Sequence, residues 1–122
     1  MARKKKITKD ILISEEKAEL EEMCKNVALE NKPIIQRLIN RASYMLVSLE
    51  QMEKDLNDNG WYEYFTQSEK TDPYERERPV ARQYISLSKN YQSNMKLLND
   101  LLTKETKVES DELIAFISGT KK

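Results

Sequence analysis

Carboxylates make up most of the side chains in this sequence that could carry out chemistry. Histidine, the commonest general base and a frequent metal ligand, is absent, and Cys24 is the one cysteine. This composition excludes catalytic triads built on histidine and structural zinc sites built from the usual ligands. Carboxylate pairs such as Glu15 with Glu19 and Glu75 with Glu77 could hold a magnesium ion, but solvated helix faces explain them better.

Glycines that could wrap a phosphate are also missing. Gly60 and Gly119 are the two glycines of the chain and lie 59 residues apart, so neither a Walker-type loop nor a dinucleotide fingerprint can form. We therefore predict a protein that is not an enzyme and that uses no metal or cofactor. Cys24 lies among apolar residues, which predicts a buried core position for its side chain.

Basic residues are concentrated at the N-terminus. Residues 1–9 contain five bases and no acid, whereas residues 10–30 contain seven acids and two bases. The net charge of the chain is zero, yet a basic arm precedes an acidic helix. Such an arm can bind phosphates without sequence preference or bind an acidic partner, and a solvated terminus is the alternative. The bases of the arm are Arg3, Lys4, Lys5, Lys6 and Lys9.

Further polar residues lie in the first turns of the second predicted helix, away from its apolar seam. Their side-chain types can reach base edges or phosphates of double-stranded DNA. The first two helices and the turn between them also give a helix-turn-helix outline, a pattern common to many helical proteins. We expect the arm to be the better candidate for DNA contact. The candidates on and before the helix are Lys32, Gln36, Arg37, Asn40 and Arg41.

Two sets of mainly apolar residues, each a stripe at heptad spacing, predict the helices that must position these side chains. In each stripe the residues are separated by alternating steps of three and four, which is typical of an amphipathic helix with one apolar seam. Asn94 interrupts the second stripe, and it either sets the register of the helices or lies at the edge of the seam. The first stripe is Ile35, Leu38, Ala42, Met45, Leu49, Met52 and Leu56. The second is Val80, Tyr84, Leu87, Tyr91, Asn94, Leu98 and Leu101.

Capping and breaking residues predict where these helices begin and end. Thr8 or Ser14 can cap a first helix, which we place at 14–30. Pro33 suits the first turn of a second helix, which runs over 33–58 and stops near Gly60.

The remaining segments are less regular. Aromatic residues alternate from Trp61 to Gln67, which predicts an extended segment. Residues 74–78 either pair with it as a hairpin or form one helical turn before Pro79. Pro79 opens a third helix, which ends near residue 103. Residues 103–109 predict a flexible link, and a short last helix begins at Ser110.

These elements predict an all-α protein. Two long amphipathic helices form an antiparallel hairpin, the N-terminal helix packs on it, and a short extended or hairpin segment lies near 61–78. The parts are a basic arm (1–13), a helical oligomerisation core (14–104), and a link with a short helix (105–122). No apolar run approaches the roughly 20 residues that cross a bilayer, and no signal peptide is visible, so we expect a cytoplasmic protein without membrane contact.

A series of short motifs follows the second predicted helix: Asn59-Gly60-Trp61, Asp72-Pro73, Arg78-Pro79-Val80-Ala81, Tyr84, Asn90-Tyr91, Leu97 to Leu102, and the acidic-apolar stretch Asp111 to Phe116. With these motifs, most of the chain after Ile13 resembles small terminase subunits of tailed phages and prophages. The chain differs from many of these proteins in carrying Arg78, rather than a capping asparagine, before the proline of the last long helix.

The resemblance implies a homo-oligomer, often a ring, that helps to select viral DNA in the bacterial host cell. It also implies a large terminase subunit as partner, which would hold the ATPase and the nuclease. A helical adaptor or regulatory protein that binds a protein partner without contacting DNA is the alternative. In the terminase interpretation, the last helix would be the docking peptide for the large subunit. Its docking residues would be Leu113, Ile114, Phe116 and Ile117.

Overall fold

The computed structural model describes the backbone of residues 7–117 and the side chains of residues 7–104. Within these bounds the protein is mainly helical, with three α-helices and one two-stranded antiparallel sheet, as the sequence predicts for the fold class. The elements are α1 (Lys9–Met23), a 3₁₀ turn (Leu29–Asn31), α2 (Lys32–Asn59), β1 (Tyr62–Phe65), β2 (Tyr74–Glu77) and α3 (Pro79–Ile117).

Helix α1 begins and ends earlier than predicted. Thr8, not Ser14, is the N-cap, because its Oγ1 accepts a hydrogen bond from the Ile11 N–H at 3.4 Å. Residues 9–13, which were predicted to belong to the arm, are therefore helical. No glycine or proline separates Thr8 from Ser14, so the helix that begins at the first cap continues through the second.

Helix α2 confirms the predicted range to within one residue at each end. Every residue of the first stripe is buried or half-buried. Ile39 and Val47 are also buried, although they lie outside the predicted stripe. The apolar face of α2 is wider than one seam because both α1 and α3 pack against it.

Gly60 ends α2 in a conformation that favours glycine. Its φ is 83° and its ψ is 172°, a region that is nearly exclusive to glycine, and its N–H donates to the Leu56 carbonyl at 2.8 Å. An added Cβ would meet no atom closer than the Tyr62 carbonyl oxygen at 4.0 Å, so a side chain is opposed by backbone strain alone.

We expect Gly60→Ala to lower the free energy of unfolding by about 2 kcal/mol, because alanine must adopt this strained backbone. Chemical denaturation would measure the change. Asp58→Ala is the control, since Asp58 is exposed in the last turn of α2, and its effect should stay below about 0.5 kcal/mol. Equal effects of the two substitutions would contradict the strain at Gly60.

The segment between the long helices is a β-hairpin. β1 and β2 pair antiparallel, with Tyr62 opposite Glu77 and Phe65 opposite Tyr74. The extended prediction is therefore confirmed, and the helical-turn alternative for residues 74–78 is wrong. The Phe65 and Tyr74 rings meet edge to face at 6.0 Å, and the Arg76 guanidinium lies 3.5 Å from the centroid of the Phe65 ring. These cross-strand contacts stabilise a sheet that has only two strands.

Helix α3 is a single helix of 39 residues. The predicted flexible link at 103–109 and the separate helix from Ser110 are therefore wrong for the backbone. Residues 103–109 contain no glycine or proline, and four of the seven are lysine or glutamate, which favour helix. The absence of an apolar pattern in these residues is evidence against a packed helix face, not against a helix. The side chains of the predicted docking residues lie outside the described part.

Hydrogen bonds from two residues of α3 link it to α2. The Tyr84 hydroxyl donates to Glu53 Oε2 at 3.0 Å, and Asn94 Nδ2 donates to the Leu38 carbonyl at 2.9 Å. The contact later in α3 thus involves a residue earlier in α2. The half-buried Asn94 sets a register between them, which favours the first of its two interpretations.

The core lies where α1 meets the other two helices. Leu98 is the buried residue of the second stripe, and the other members of that stripe are half-buried. Cys24 is 5% exposed, which confirms its predicted core position. The buried cluster consists of Leu20, Cys24, Val27, Ile35, Ile39, Ala42 and Leu98.

Candidate nucleic-acid interface

Three exposed residues of α2 form a row along one side of the helix. Arg37, Arg41 and Tyr44 are spaced by four and by three, so their side chains are neighbours on the helix surface. Tyr44 is 53% exposed. The buried residues Ile35 and Ile39 lie on the other side of α2, so core packing leaves this row accessible.

Helix α1 brings a third base to this row. Lys9 Nζ lies 4.5 Å from the centroid of the Tyr44 ring, a cation–π contact. Because Lys9 is the first residue of α1, the start of this helix lies at the Tyr44 ring of α2. We call Lys9, Arg37, Arg41 and Tyr44 the composite basic surface. It joins two groups of predicted DNA contacts that are about thirty residues apart in the sequence.

Few negative charges lie near the composite basic surface on its own helix. Residues 31–49 contain three bases and no aspartate or glutamate. Among the described side chains, neither Arg37 nor Arg41 takes part in an ion pair. Two arginines with unpaired guanidinium groups and an exposed aromatic ring can bind a phosphate backbone and stack on a base or sugar.

The structure separates the other predicted DNA contacts from this surface. Gln36 Nε2 donates to Asn40 Oδ1 at 3.0 Å, so these two amides are bonded to each other. Gln36 and Lys32 line a cleft of about 270 Å³ between α1 and α2. Arg3, Lys4, Lys5 and Lys6 lie outside the described residues. Tyr44 was not predicted as a DNA contact, although its spacing of three from Arg41 was a usable signal.

Arg78 joins the end of α2 to the start of α3. Its Nη2 donates to both carboxylate oxygens of Asp55, at 2.9 and 3.1 Å, and its Nη1 donates to the Gly60 carbonyl at 2.7 Å. Its backbone N–H also donates to the Trp61 carbonyl at 2.8 Å. Arg78 therefore holds both ends of the β-hairpin to the helices.

Asp55 should give this junction a pH dependence. A hydrogen bond from Asn59 and then the bonds from Arg78 hold the pKa of the Asp55 carboxyl below its usual value of 3.8. A lowered folded-state pKa stabilises the fold above the unfolded value, and this stabilisation is lost as the pH falls through the folded value.

We therefore expect the difference in stability between the wild type and Asp55→Asn to be constant from neutral pH to about pH 5. It should shrink as the pH falls below 3.8. Urea denaturation at a series of pH values would measure it. Asp58→Asn serves as the control, and a difference for Asp55→Asn that does not change with pH would contradict the role of the carboxylate.

A groove of about 880 Å³ opens beside the base of the β-hairpin. Met52, Pro79 and Leu87 contribute apolar surface, and arginines from β2 and α3 contribute charge. Arg82 is the most open of them, since its side chain is 86% exposed and its contact to Glu77 is 3.8 Å long. The lining residues are Met52, Arg76, Glu77, Arg78, Pro79, Arg82, Gln83, Ser86, Leu87 and Asn90.

The cysteine, aspartate and glutamate side chains of the described residues form no group of three that could hold a metal ion. None of the helices, so far as they are described, combines the length and the apolar character needed to cross a bilayer.

Comparisons with known proteins give no relative. The sequence matches no protein-family model, and neither curated proteins nor solved structures give a match.

Proposed function

We propose that this chain is a small terminase subunit. It is a non-enzymatic, homo-oligomeric component of phage DNA packaging that helps to select viral DNA in the cytoplasm of a bacterial host. It engages a large terminase subunit that carries the ATPase and the nuclease. The contact between Lys9 and Tyr44 is the main support, because it brings one base of the predicted arm to the side of α2 that carries Arg37 and Arg41.

Duplex DNA binds this surface through its phosphates. Arg37 and Arg41 contact one stretch of backbone, while the arm follows the phosphates further along. Six extended residues reach about 20 Å, which covers several phosphates of one strand. Recognition is therefore governed by charge, and several copies in one assembly strengthen it because their arms bind together.

Self-association uses the unit formed by α2 and α3, arranged as an antiparallel helical hairpin. Several large apolar side chains of this unit are exposed, among them Ile34 at 52%, Ile85 at 43% and Leu97 at 57%. Apolar surface of this kind on long helices is suited to contact with further copies.

A DNA-binding experiment tests the proposal. Fluorescence anisotropy with a labelled duplex should show binding that falls steeply as salt rises from about 50 to 200 mM. Arg37→Gln with Arg41→Gln should lower the slope of log affinity against log salt by about 1.8. Lys25→Gln with Lys54→Gln removes the same charge from exposed positions elsewhere and should leave the slope unchanged.

The alternative is a helical adaptor that binds a protein partner without DNA. The exposed aromatic rings of the β-hairpin favour it, since Tyr62 is 60% and Tyr64 is 78% exposed. A wild-type protein that does not bind the duplex at about 50 mM salt would reject the terminase role and favour the adaptor.

A further inference from the structure

The composite basic surface borders a small pocket. Ser48 and Gln51 follow Tyr44 at spacings of four and three, so they continue the row along the same side of α2. The pocket lies between these residues, Lys9 of α1 and the start of α3, and its volume is about 320 Å³. Ligand pockets of proteins typically measure about 300–1,000 Å³, so this one suits a single small group.

Apolar and aromatic side chains form much of the wall of this pocket. Tyr44 contributes a ring that is 53% exposed. Met52 from α2, and Val80 and Leu87 from α3, are half-buried and contribute aliphatic surface. A flat aromatic group can stack on the tyrosine ring and contact the aliphatic side chains. The wall therefore suits a planar ring.

Two polar groups of the pocket can bind a ligand. The Gln51 amide, which is exposed, takes part in no hydrogen bond with another described residue. Ser48 is 7% exposed, and its Oγ has no hydrogen-bond partner among the described residues, which is rare for a buried hydroxyl. An amide and a hydroxyl can each donate and accept, and the edge of a nucleobase also presents donors and acceptors.

The Ser48 hydroxyl becomes accessible through small side-chain movements. Side chains of a helix lean toward its N-terminus, so those of Gln51 and Met52 lie over the turn that contains Ser48. Both are unbranched, and rotation about their bonds can uncover the hydroxyl. The edge of a ligand in the pocket can therefore reach Ser48 Oγ.

The charges at the pocket favour a ligand that carries a phosphate. Lys9 lines the pocket, and Arg41 lies on the same side of α2. Asp55 also lines the pocket, but its carboxylate already accepts hydrogen bonds from Arg78 and Asn59. The two bases can therefore bind the phosphate of a nucleotide whose planar base lies in the pocket.

We propose that this pocket holds one unpaired nucleobase of a DNA strand whose phosphates lie on the composite basic surface. The base stacks on Tyr44 in place of the Lys9 ammonium, which moves to the phosphate of the same nucleotide. Gln51 and Ser48 bind the edge of the base. A base in a duplex is already stacked and paired, so a single-stranded overhang supplies the base more readily than an intact duplex. The inference rests on the proposed function and narrows its DNA substrate to one with an unpaired nucleotide.

Two labelled DNA molecules test the pocket with the full chain. Both consist of the same duplex with a single-stranded overhang of the same length, but one overhang lacks its bases, so the number of phosphates is equal. The wild type should bind the overhang with bases about tenfold more tightly in fluorescence anisotropy at about 100 mM salt, since stacking of one base on an aromatic ring has an effect of this size.

Replacement of the stacking ring tests its part in this preference. Tyr44→Leu should reduce the ratio of the two affinities to about one. Tyr62→Leu is the matched control, because Tyr62 is also an exposed tyrosine, at 60%, but lies in β1. It should keep the ratio of the wild type, and equal losses in the two variants would contradict stacking on Tyr44. Circular dichroism of both variants checks that the fold is kept.

Ser48→Ala separates binding from folding. The substitution removes a buried hydroxyl that has no partner among the described residues, so the Tm should stay the same or rise. The ratio of affinities should nevertheless fall about threefold, because the edge of the base loses a hydrogen bond. An unchanged ratio would contradict the placement of the base edge at Ser48.

The outcomes separate this inference from the proposed function. A wild type that binds neither DNA molecule would contradict both. Equal affinity for the two overhangs would contradict the pocket and leave duplex binding in place. If free deoxyadenosine monophosphate displaced the labelled DNA as effectively as an unlabelled overhang strand does, the pocket would belong to a free nucleotide, which would contradict a DNA strand as the source of the base.

Discussion

Replacement of Arg3, Lys4, Lys5 and Lys6 with glutamine should weaken duplex binding by at least about 100-fold at about 50 mM salt. Each phosphate contact adds about 0.9 to the slope of log affinity against log salt, so the slope should fall by about 3.6. The same anisotropy titration, repeated at four salt concentrations, would measure both quantities. Combination with Arg37→Gln and Arg41→Gln should lower the slope by about 5.4 in total if arm and helix form one surface.

The control variant removes the same number of charges at other positions. Its four substitutions lie outside the composite basic surface and the arm, and they replace Lys17, Lys25, Lys54 and Lys70 with glutamine. Its affinity should stay within about threefold of the wild type, since long-range attraction is largely screened. Equal losses in the two variants would show that net charge, and not this surface, determines binding.

Ile35→Ala should lower the free energy of unfolding by about 3 kcal/mol and the Tm by roughly 10 °C or more. Ile35 is 2% exposed and belongs to the cluster in which all three helices meet, so the truncation leaves a cavity there. Thermal denaturation followed by circular dichroism would measure the change in Tm, and urea denaturation the change in free energy.

The neighbouring residue supplies a matched control. Ile34 has the same side chain in the same helix but is 52% exposed. Ile34→Ala should change the free energy of unfolding by less than about 1 kcal/mol. If the two substitutions had similar effects, the packing of α1 and α3 around Ile35 would be wrong.

Local features of the sequence determined much of the fold. The stripe from Ile35 to Leu56 predicted α2, because spacing along a helix decides which residues share a face. Pro33 and Gly60 gave its ends, since each residue restricts or extends the backbone at its own position. The alternation of aromatics after Trp61 predicted an extended strand for the same reason.

Other features depended on contacts between distant residues. Spacing in the sequence does not show that Arg78 reaches Asp55, or that the hairpin is chosen over a helical turn. Those contacts join residues that are distant in the sequence, so they form only when the rest of the chain has brought the residues together. The length of α3 was missed for a different, local reason, because helix propensity continued through residues 103–109 where the apolar pattern stopped.

The sequence by itself determined which residues of the candidate site are basic: the arm through Lys9, and Arg37 with Arg41 on one side of α2. The tertiary structure alone decided that Lys9 meets Tyr44, on the side of α2 that carries these arginines. Residue types and helix periodicity follow from neighbours within a few positions, so they can be read along the chain. The approach of Lys9 to Tyr44 depends on how α1 packs across α2, and that packing is set by the buried cluster as a whole.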